Sequence, residues 1–403
     1  MSELFQVVTL DQGRSLITNQ WKLPQRIERV KISEGLNRRL AVDLVAKEPV
    51  PGFDRSVVDG YAVRAADTFG ASESLPALFK VVGEVAMGDQ PDIILQANEA
   101  VAIATGGMLP AGADGIVMIE YTEKMDASTI EVYKPSAPGD YIIRRGEDVA
   151  ADSVVLARGT VIGPYQMGLA AAVGYETIEV TERLHVGVIS TGEELVEPAV
   201  VPKQGQVRDV NTFCLAGLIE KSGGIPTLYG IVRDDRTQLQ DTLDKAIEEN
   251  DLVIISGGSS IGVRDLTLEV LSEGLIFHGL AIRPGKPTLA AVVKNKLVMG
   301  LPGHPASAAI AFYLLVQPLL KWGTYQDGEQ TVWAVLNRNL ASGPGREDYV
   351  RVKLFSDHEK TVAVPVLGKS GLIHTLAEAD GMIRIPLSKE GLCAGERVEV
   401  ILF

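Results

Sequence analysis

Between residues 184 and 326 short apolar runs alternate with longer stretches of helical spacing, and this alternation restricts the fold more than any other feature. Runs at 185–190, 227–232, 252–256 and 297–300 read as strands. Helical spacing appears near 211–222, 236–249, 264–273 and 304–322. Strands this uniformly apolar are buried on both faces, so the expected unit is an open, mostly parallel α/β sheet covered by helices.

Ligands bind such sheets outside the carboxyl ends of the strands, which makes the residue following each strand a candidate. The first strand runs into Ser190-Thr-Gly-Glu-Glu, bringing Glu194, and the second into Arg233-Asp-Asp, bringing Asp234 and Asp235. The third ends in Ser256-Gly-Gly-Ser-Ser-Ile-Gly, with Gly257, Gly258 and Ser259, and Asp265 follows. The fourth ends in Gly300-Leu-Pro-Gly-His-Pro, with Pro302, His304 and Pro305, and another loop reads Arg283-Pro-Gly-Lys-Pro, with Pro284 and Lys286. A Gly-Gly-Ser-Ser loop lets backbone N–H groups approach an anion, and the helix after it adds its positive end. Carboxylates beside a phosphate repel it unless a cation lies between them, a requirement that Mg²⁺ meets. The residues therefore suggest a Mg²⁺-dependent site for a nucleotide or pyrophosphate. Each loop alone has a plainer alternative: a simple connection, an N-cap at Asp234-Asp235, a rigid surface turn, or a helix start at His304. The coincidence of five such loops on one sheet edge favours binding.

A length of 403 residues exceeds what one core usually supports. Thr9 with Gln12 forms a capping-box pattern, and Ser33 is expected to open a second helix carrying Leu36, Leu40, Ala41, Leu44 and Val45 on one face. From 50 to 141 the pattern changes to short β-rich runs punctuated by Gly and Pro. Helical spacing returns in Gly163-Pro-Tyr-Gln-Met-Gly. The expected arrangement is a mainly helical N-terminal domain (1–49 and 142–183) interrupted by an inserted β-domain (50–141). The α/β domain (184–326) and a C-terminal β-domain or barrel (327–403) complete the multidomain α/β plus β fold.

A net charge of −14 disfavours nucleic acid and anionic membrane as partners, and leaves small anionic ligands open. The two cysteines, Cys214 and Cys393, lie in no metal-type or redox spacing. The apolar run from Ala308 to Leu320 is broken by Gln317 and Pro318 and is too short to span a bilayer. The N-terminal residues lack the basic start and apolar core of a signal peptide, so a cytoplasmic location is expected.

These segments, in this order, resemble the molybdopterin molybdenumtransferases, the family that includes the E-domain of gephyrin. The resemblance spans nearly the whole chain. Its motifs include Pro51-Gly-Phe-Asp-Arg-Ser-Val-Val-Asp-Gly-Tyr-Ala-Val-Arg, Ala104-Thr-Gly-Gly-Met-Leu-Pro-Ala-Gly-Ala-Asp and Arg144-Arg-Gly-Glu-Asp. Asn211-Thr, Gly230-Ile-Val-Arg-Asp-Asp and the loops already described complete the set.

The resemblance implies Mg²⁺-dependent insertion of molybdate into adenylated molybdopterin, with AMP released and molybdenum cofactor formed. It implies a homodimer in which the inserted domain of one subunit completes the other's cleft, presenting Asp59, Gly60, Tyr61 and Thr105. By the same resemblance Glu194, Asp234 and Asp265 surround Mg²⁺ and the nucleotide phosphates, and Asp148 is a weaker member of the acidic set. Lys286 and Arg283 meet pyrophosphate and the oxyanion, while Ser307, Arg346 and Ser370 are molybdate contacts. The enzyme of the preceding step, molybdopterin adenylyltransferase, is the implied protein partner. The chain departs from the family pattern in two places: the Pro-Gly-x-Pro loop usually carries Asn where His304 stands, and Arg283 replaces a usual Lys. An adenylyltransferase-type activity and a non-catalytic scaffold remain alternatives. The flanking domains count against the first, and the intact acidic and basic set against the second.

Overall fold

A computed structural model describes residues 7–257, 266–323, 325, 330–357 and 360–403. Its contacts divide it into two compact units, Met1–Arg26 with Glu182–Phe403, and Ile27–Thr181.

The first unit is built on a six-stranded sheet in the order Ile225–Val232, His185–Thr191, Leu252–Ser256, Lys296–Leu301, Leu289–Val293, Leu275–His278. The first four strands are parallel and are the four expected from the apolar runs. All five residues of Leu252–Ser256 are buried, which explains why they carry no polar alternation. The last two strands run antiparallel and were not anticipated. Leu289–Val293 joins Lys296–Leu301 through Lys294 and Asn295, both at positive φ (49° and 63°), the geometry of a tight hairpin. Lys-Asn is a weak sequence signal for such a turn, so the hairpin was hidden in one apolar stretch.

Helices Asn211–Lys221 and Arg236–Glu249 pack against this sheet. The helical stretch expected over 304–322 appears as Pro305–Ala311, a π-helical segment Phe312–Val316, and Gln317–Trp322. The wider turn directly precedes Pro318, which has no N–H to donate to a regular helix. Helix Leu10–Gln20 carries the expected capping box between Thr9 and Gln12. Its Leu10 and Ile17, with Trp21 beyond its end, enter the same core as Phe277 and Leu280, which is why the first residues belong to this unit.

The C-terminal strands close on themselves. Glu347–Asp357 pairs with Lys360–Pro365 through residues 352–357 and with Gly381–Ile385 through residues 348–352. Thr331–Leu336 and Arg397–Leu402 complete the ring, a β-barrel with Val352, Ala363 and Val400 in its interior. The short strand Ile282–Arg283 leaves the α/β domain and pairs in parallel with Glu347 and Asp348.

The second unit contains a six-stranded sheet in the order Gly115–Met118, Gly60–Val63, Glu99–Ile103, Ala77–Val85, Thr129–Val132, Thr122–Lys124. This agrees with the β-rich pattern of 50–141. The flanking segments do not form the expected mainly helical domain. Of the two described α-helices in 1–49 and 142–183, Leu10–Gln20 belongs to the first unit, which leaves Pro164–Ala172 here with two-stranded ladders such as Ile27–Lys31 with Thr177–Thr181. The helix expected from Ser33 is absent: Ile32–Glu34 is a single 3-10 turn, Asn37 takes φ 61°, and Leu44–Val45 is a strand. Leu40 and Leu44 are buried four residues apart, a spacing that two short extended pieces satisfy as well as a helix does.

Candidate active site

The carboxyl edge of the parallel strands forms the floor of a cleft of about 1770 Å³. Gly257, just beyond the strand Leu252–Ser256, has φ 107°, and a Cβ there would lie 2.1 Å from the Thr191 carbonyl oxygen. Only glycine fits, and its N–H donates to the Leu301 carbonyl at 3.1 Å, tying two strand exits together. Thr191 lines the cleft, and its hydroxyl donates to Asp234 Oδ1 at 3.1 Å. Glu194 also lines the cleft. Asp235 has the plainer role that its position allows: its side chain accepts from Gln238 N at 2.8 Å and caps the helix Arg236–Glu249.

Beneath this edge lies a buried polar network that sequence reasoning missed. Thr212 Oγ1 donates to Asp209 Oδ2 at 2.5 Å and meets Ser190 Oγ at 2.8 Å. Asn211 Nδ2 donates to Ser256 Oγ (2.7 Å) and to the Gly303 carbonyl (2.8 Å), so one amide links three loops. Asn211-Thr was visible as a motif, but nothing in a lone Asn-Thr pair signals that it crosslinks strand exits.

The barrel supplies the facing wall. Because Arg283 lies in register with Asp348, the buried Asp348 carboxylate reaches both Arg283 Nη1 (3.7 Å) and Arg346 Nε (3.0 Å). Arg351, only 5% exposed, donates through Nη2 to the Gly368 carbonyl at 3.1 Å, and burial pulls its pKa down. Its Nε has no partner among the described residues. The 368–371 loop is pinned again where Ala306 N donates to the Ser370 carbonyl at 3.0 Å, satisfying an N–H at the start of the helix Pro305–Ala311. Ser370 Oγ and His304 Nδ1 are 3.0 Å apart. Pro284, Lys286, Pro302, Pro305 and Ser307 line the same cleft. The Pro284 turn closes through Thr288, whose hydroxyl donates to the Gly285 carbonyl at 2.6 Å.

The structure thus gathers Glu194, Gly257, Arg283, Lys286, His304, Ser307, Arg346 and Ser370 around one cleft; Asp234 does not line it but is bonded to Thr191, which does. Gly258, Ser259 and Asp265 lie outside the described residues. Among the described residues no three His, Cys, Asp or Glu side chains gather as a protein-built metal cage would require. Glu194 and Asp234 follow neighbouring strands of the sheet, and two carboxylates with phosphate oxygens are the kind of donor set that Mg²⁺ takes. Asp59 and Thr105 belong to the other unit. There the Asp59 carboxylate accepts from Thr105 N (2.7 Å) and Thr105 Oγ1 (2.9 Å), which holds its pKa below the usual carboxylate range.

Three family models match the chain in succession: the MoeA N-terminal region (domain I and II) over residues 8–174, a probable molybdopterin binding domain over 187–322, and the MoeA C-terminal region (domain IV) over 334–403. The chain belongs to the MoeA family. A molybdopterin molybdenumtransferase of Haemophilus influenzae is 34% identical, with 98% of each chain covered. One from Staphylococcus aureus is 33% identical over 93% of this chain and 90% of that one. A putative molybdopterin biosynthesis protein of Methanocaldococcus jannaschii is 37% identical over 94% of this chain and 92% of its own length. Among solved structures, a molybdopterin biosynthesis MoeA protein of Pyrococcus horikoshii has a TM-score of 0.85 at 40% identity, covering 98% of this chain and 99% of that one. The chain is accordingly a transferase of molybdenum cofactor biosynthesis, with the multidomain α/β fold and closed barrel of that family.

Proposed function

We propose that the cleft binds adenylated molybdopterin and molybdate, inserts the metal, and releases AMP, with Mg²⁺ bound at Glu194, Asp234 and Asp265. The observation that carries this reading is the meeting of two kinds of binding surface in one cleft. Glycine-lined strand exits face Arg283, Arg346 and Ser370, held in place by the barrel. Molybdate is a tetrahedral dianion and calls for guanidinium, ammonium and hydroxyl donors. Asp348 offsets part of the arginine charge and orients Arg346 through its Nε bond at 3.0 Å, with Arg283 drawn in more loosely at 3.7 Å, so part of the donor set is organised before the anion arrives. Mg²⁺, when bound, would neutralise phosphate charge and polarise the linkage that is cleaved.

Sulfur ligands for the metal come from the pterin dithiolene, so the protein need not supply a thiolate. Cys214 agrees with this: burial pushes its thiol pKa up, away from the thiolate form. The reading includes a cytoplasmic homodimer in which Asp59 and Thr105 of one subunit face the other's cleft, with the adenylyltransferase of the preceding step as the donor of substrate. It is supported by the exposure of Asp59 and by the two Thr105 bonds that favour its ionised form. No described helix is long and apolar enough to cross a membrane.

The test is AMP release from adenylated molybdopterin with Mg²⁺, with and without molybdate, for the wild type and Asp234→Ala. The expected result is molybdate-dependent AMP release with transferable cofactor formed, and loss of both in the variant. Tight binding of the adenylate without turnover, with molybdate and then with tungstate, would overturn the catalytic reading.

A further inference from the structure

His304 touches the barrel at one hydroxyl, and the chemistry of that contact is asymmetric. Its Nδ1 lies 3.0 Å from Ser370 Oγ. The ring also lies over the next residue, since a Cβ at Gly371 would meet His304 Cδ2 at 3.6 Å. The Ser370 backbone is independently fixed by the bond from Ala306 N to its carbonyl at 3.0 Å. With the main chain held, Ser370 keeps its χ1 rotamer and the direction of its single hydroxyl hydrogen, and the contact with His304 bears on both.

A serine hydroxyl has one hydrogen and two lone pairs, and a neutral imidazole carries its hydrogen on only one nitrogen. If Nδ1 holds the hydrogen, it donates to Oγ and leaves the serine O–H free to point into the cleft. If Nδ1 is the acceptor, the serine hydrogen is used on the ring and Oγ turns lone pairs toward the cleft, where an oxyanion is repelled. The same residue is then a donor or an obstacle, depending on the histidine tautomer.

We infer that His304 is a positioning residue for the oxyanion: through Nδ1–H it sets Ser370 Oγ as a hydrogen-bond donor to molybdate. This rests on the reading of the cleft as an oxyanion site. It assigns a role to a residue that otherwise reads only as the start of the helix Pro305–Ala311, where its side chain makes no capping bond.

The geometry supplies its own variants. In asparagine the amide nitrogen is attached to Cγ, as Nδ1 is in histidine, so His304→Asn can donate from nearly the same place. In His304→Gln the amide is one carbon farther out, and His304→Ala has no donor. His304 is exposed, so none of these changes opens a cavity in the core.

The experiment is calorimetric binding of molybdate to the full-length protein, for the wild type, the three His304 variants, Ser370→Ala, and the double variant His304→Ala with Ser370→Ala. Nitrogen NMR of histidine-labelled protein, with and without molybdate, reports the tautomer. Losing a net hydrogen bond to a charged acceptor corresponds to a Kd about tenfold weaker. The expected result is a tenfold loss in Ser370→Ala, a smaller loss in His304→Ala and His304→Gln, where the serine hydroxyl is no longer set, a double variant no weaker than Ser370→Ala, near wild-type binding in His304→Asn, and a protonated Nδ1 in the molybdate complex. Full binding by Ser370→Ala would overturn both the oxyanion reading of this loop and the inference. A loss in Ser370→Ala without one in His304→Ala, or losses that multiply in the double variant, would overturn the inference alone. An unprotonated Nδ1 in the complex would do the same.

Discussion

Gly257 offers a test of how far the site depends on backbone rather than side chains. In Gly257→Ala the new Cβ would lie 2.1 Å from the Thr191 carbonyl oxygen, about 1 Å inside any tolerable contact, at a φ of 107°. Holding a non-glycine residue in that region costs roughly 1–3 kcal/mol, and the overlap costs a similar amount. The expected loss is therefore roughly 4 kcal/mol of unfolding free energy, read from urea denaturation. Relief requires moving the end of the strand His185–Thr191, and Thr191 is the residue whose hydroxyl holds Asp234. Affinity for adenylated molybdopterin should fall as well. Gly303→Ala is the control, because its Cβ would meet nothing nearer than Gly257 Cα at 3.6 Å. That variant should stay within about 1 kcal/mol of the wild type. If Gly257→Ala matches the control in stability, the claim that a glycine is required there is wrong.

Two further predictions address charges buried away from solvent. Asp251 accepts from Arg26 Nη1 (2.7 Å), Arg26 Nη2 (2.6 Å) and His185 N (3.0 Å), and lies 3.5 Å from Lys296. Burial pushes its pKa up, but these partners outweigh burial and hold it below the usual value. A depressed carboxylate contributes stability that is present above about pH 4 and lost as pH falls through its folded value. Asp251→Asn should lower stability at pH 7 by roughly 2–4 kcal/mol and flatten the acid limb of a stability–pH profile; an unchanged acid limb would remove Asp251 from that account. Arg351 is the opposite case, a buried guanidinium with no carboxylate partner among the described residues. Arg351→Met should therefore change unfolding free energy by less than about 1 kcal/mol, while the freed Gly368 carbonyl loosens the loop and weakens molybdate binding. A large drop in the urea midpoint, with binding intact, would refute this.

Much of the α/β core was legible because fully buried parallel strands leave uniform apolar runs, as Leu252–Ser256 shows. The loops after those strands were legible for a related reason: Gly257 must be glycine, and the turn at Gly285, φ 117°, is nearly as restricted. The segment from Ser33 to Val45 misled because burial of Leu40 and Leu44 reproduces helical spacing, while the feature that prevents a helix, Asn37 at positive φ, is common in many contexts. Asn211, Asp348 and Arg351 were invisible as site residues for a different reason. Each acts through a partner distant in sequence or on another element, and no local pattern encodes a tertiary contact.

On the proposed reading, that last group accounts for how an acidic chain would hold an oxyanion. Net charge is −14, so affinity cannot come from the overall field and has to arise from donors fixed at short range. The fixing runs through a ladder of only two residues, Ile282 and Arg283 against Glu347 and Asp348. Side chains alternate faces along a strand, so a slip of one residue in that ladder would turn Arg283 away from Asp348. It would also separate the arginine of the α/β domain from Arg346 on the barrel. The joint therefore sets donor geometry as well as linking two folds. Its resistance to slipping comes from neighbouring main-chain bonds: Glu347 N to the Ala281 carbonyl at 2.8 Å, and Ala281 N to the Val8 carbonyl at 2.8 Å. Val8 lies just ahead of the helix Leu10–Gln20, so the N-terminal segment stabilises a register on which the proposed oxyanion donors Arg283 and Arg346 depend, although it supplies neither of them.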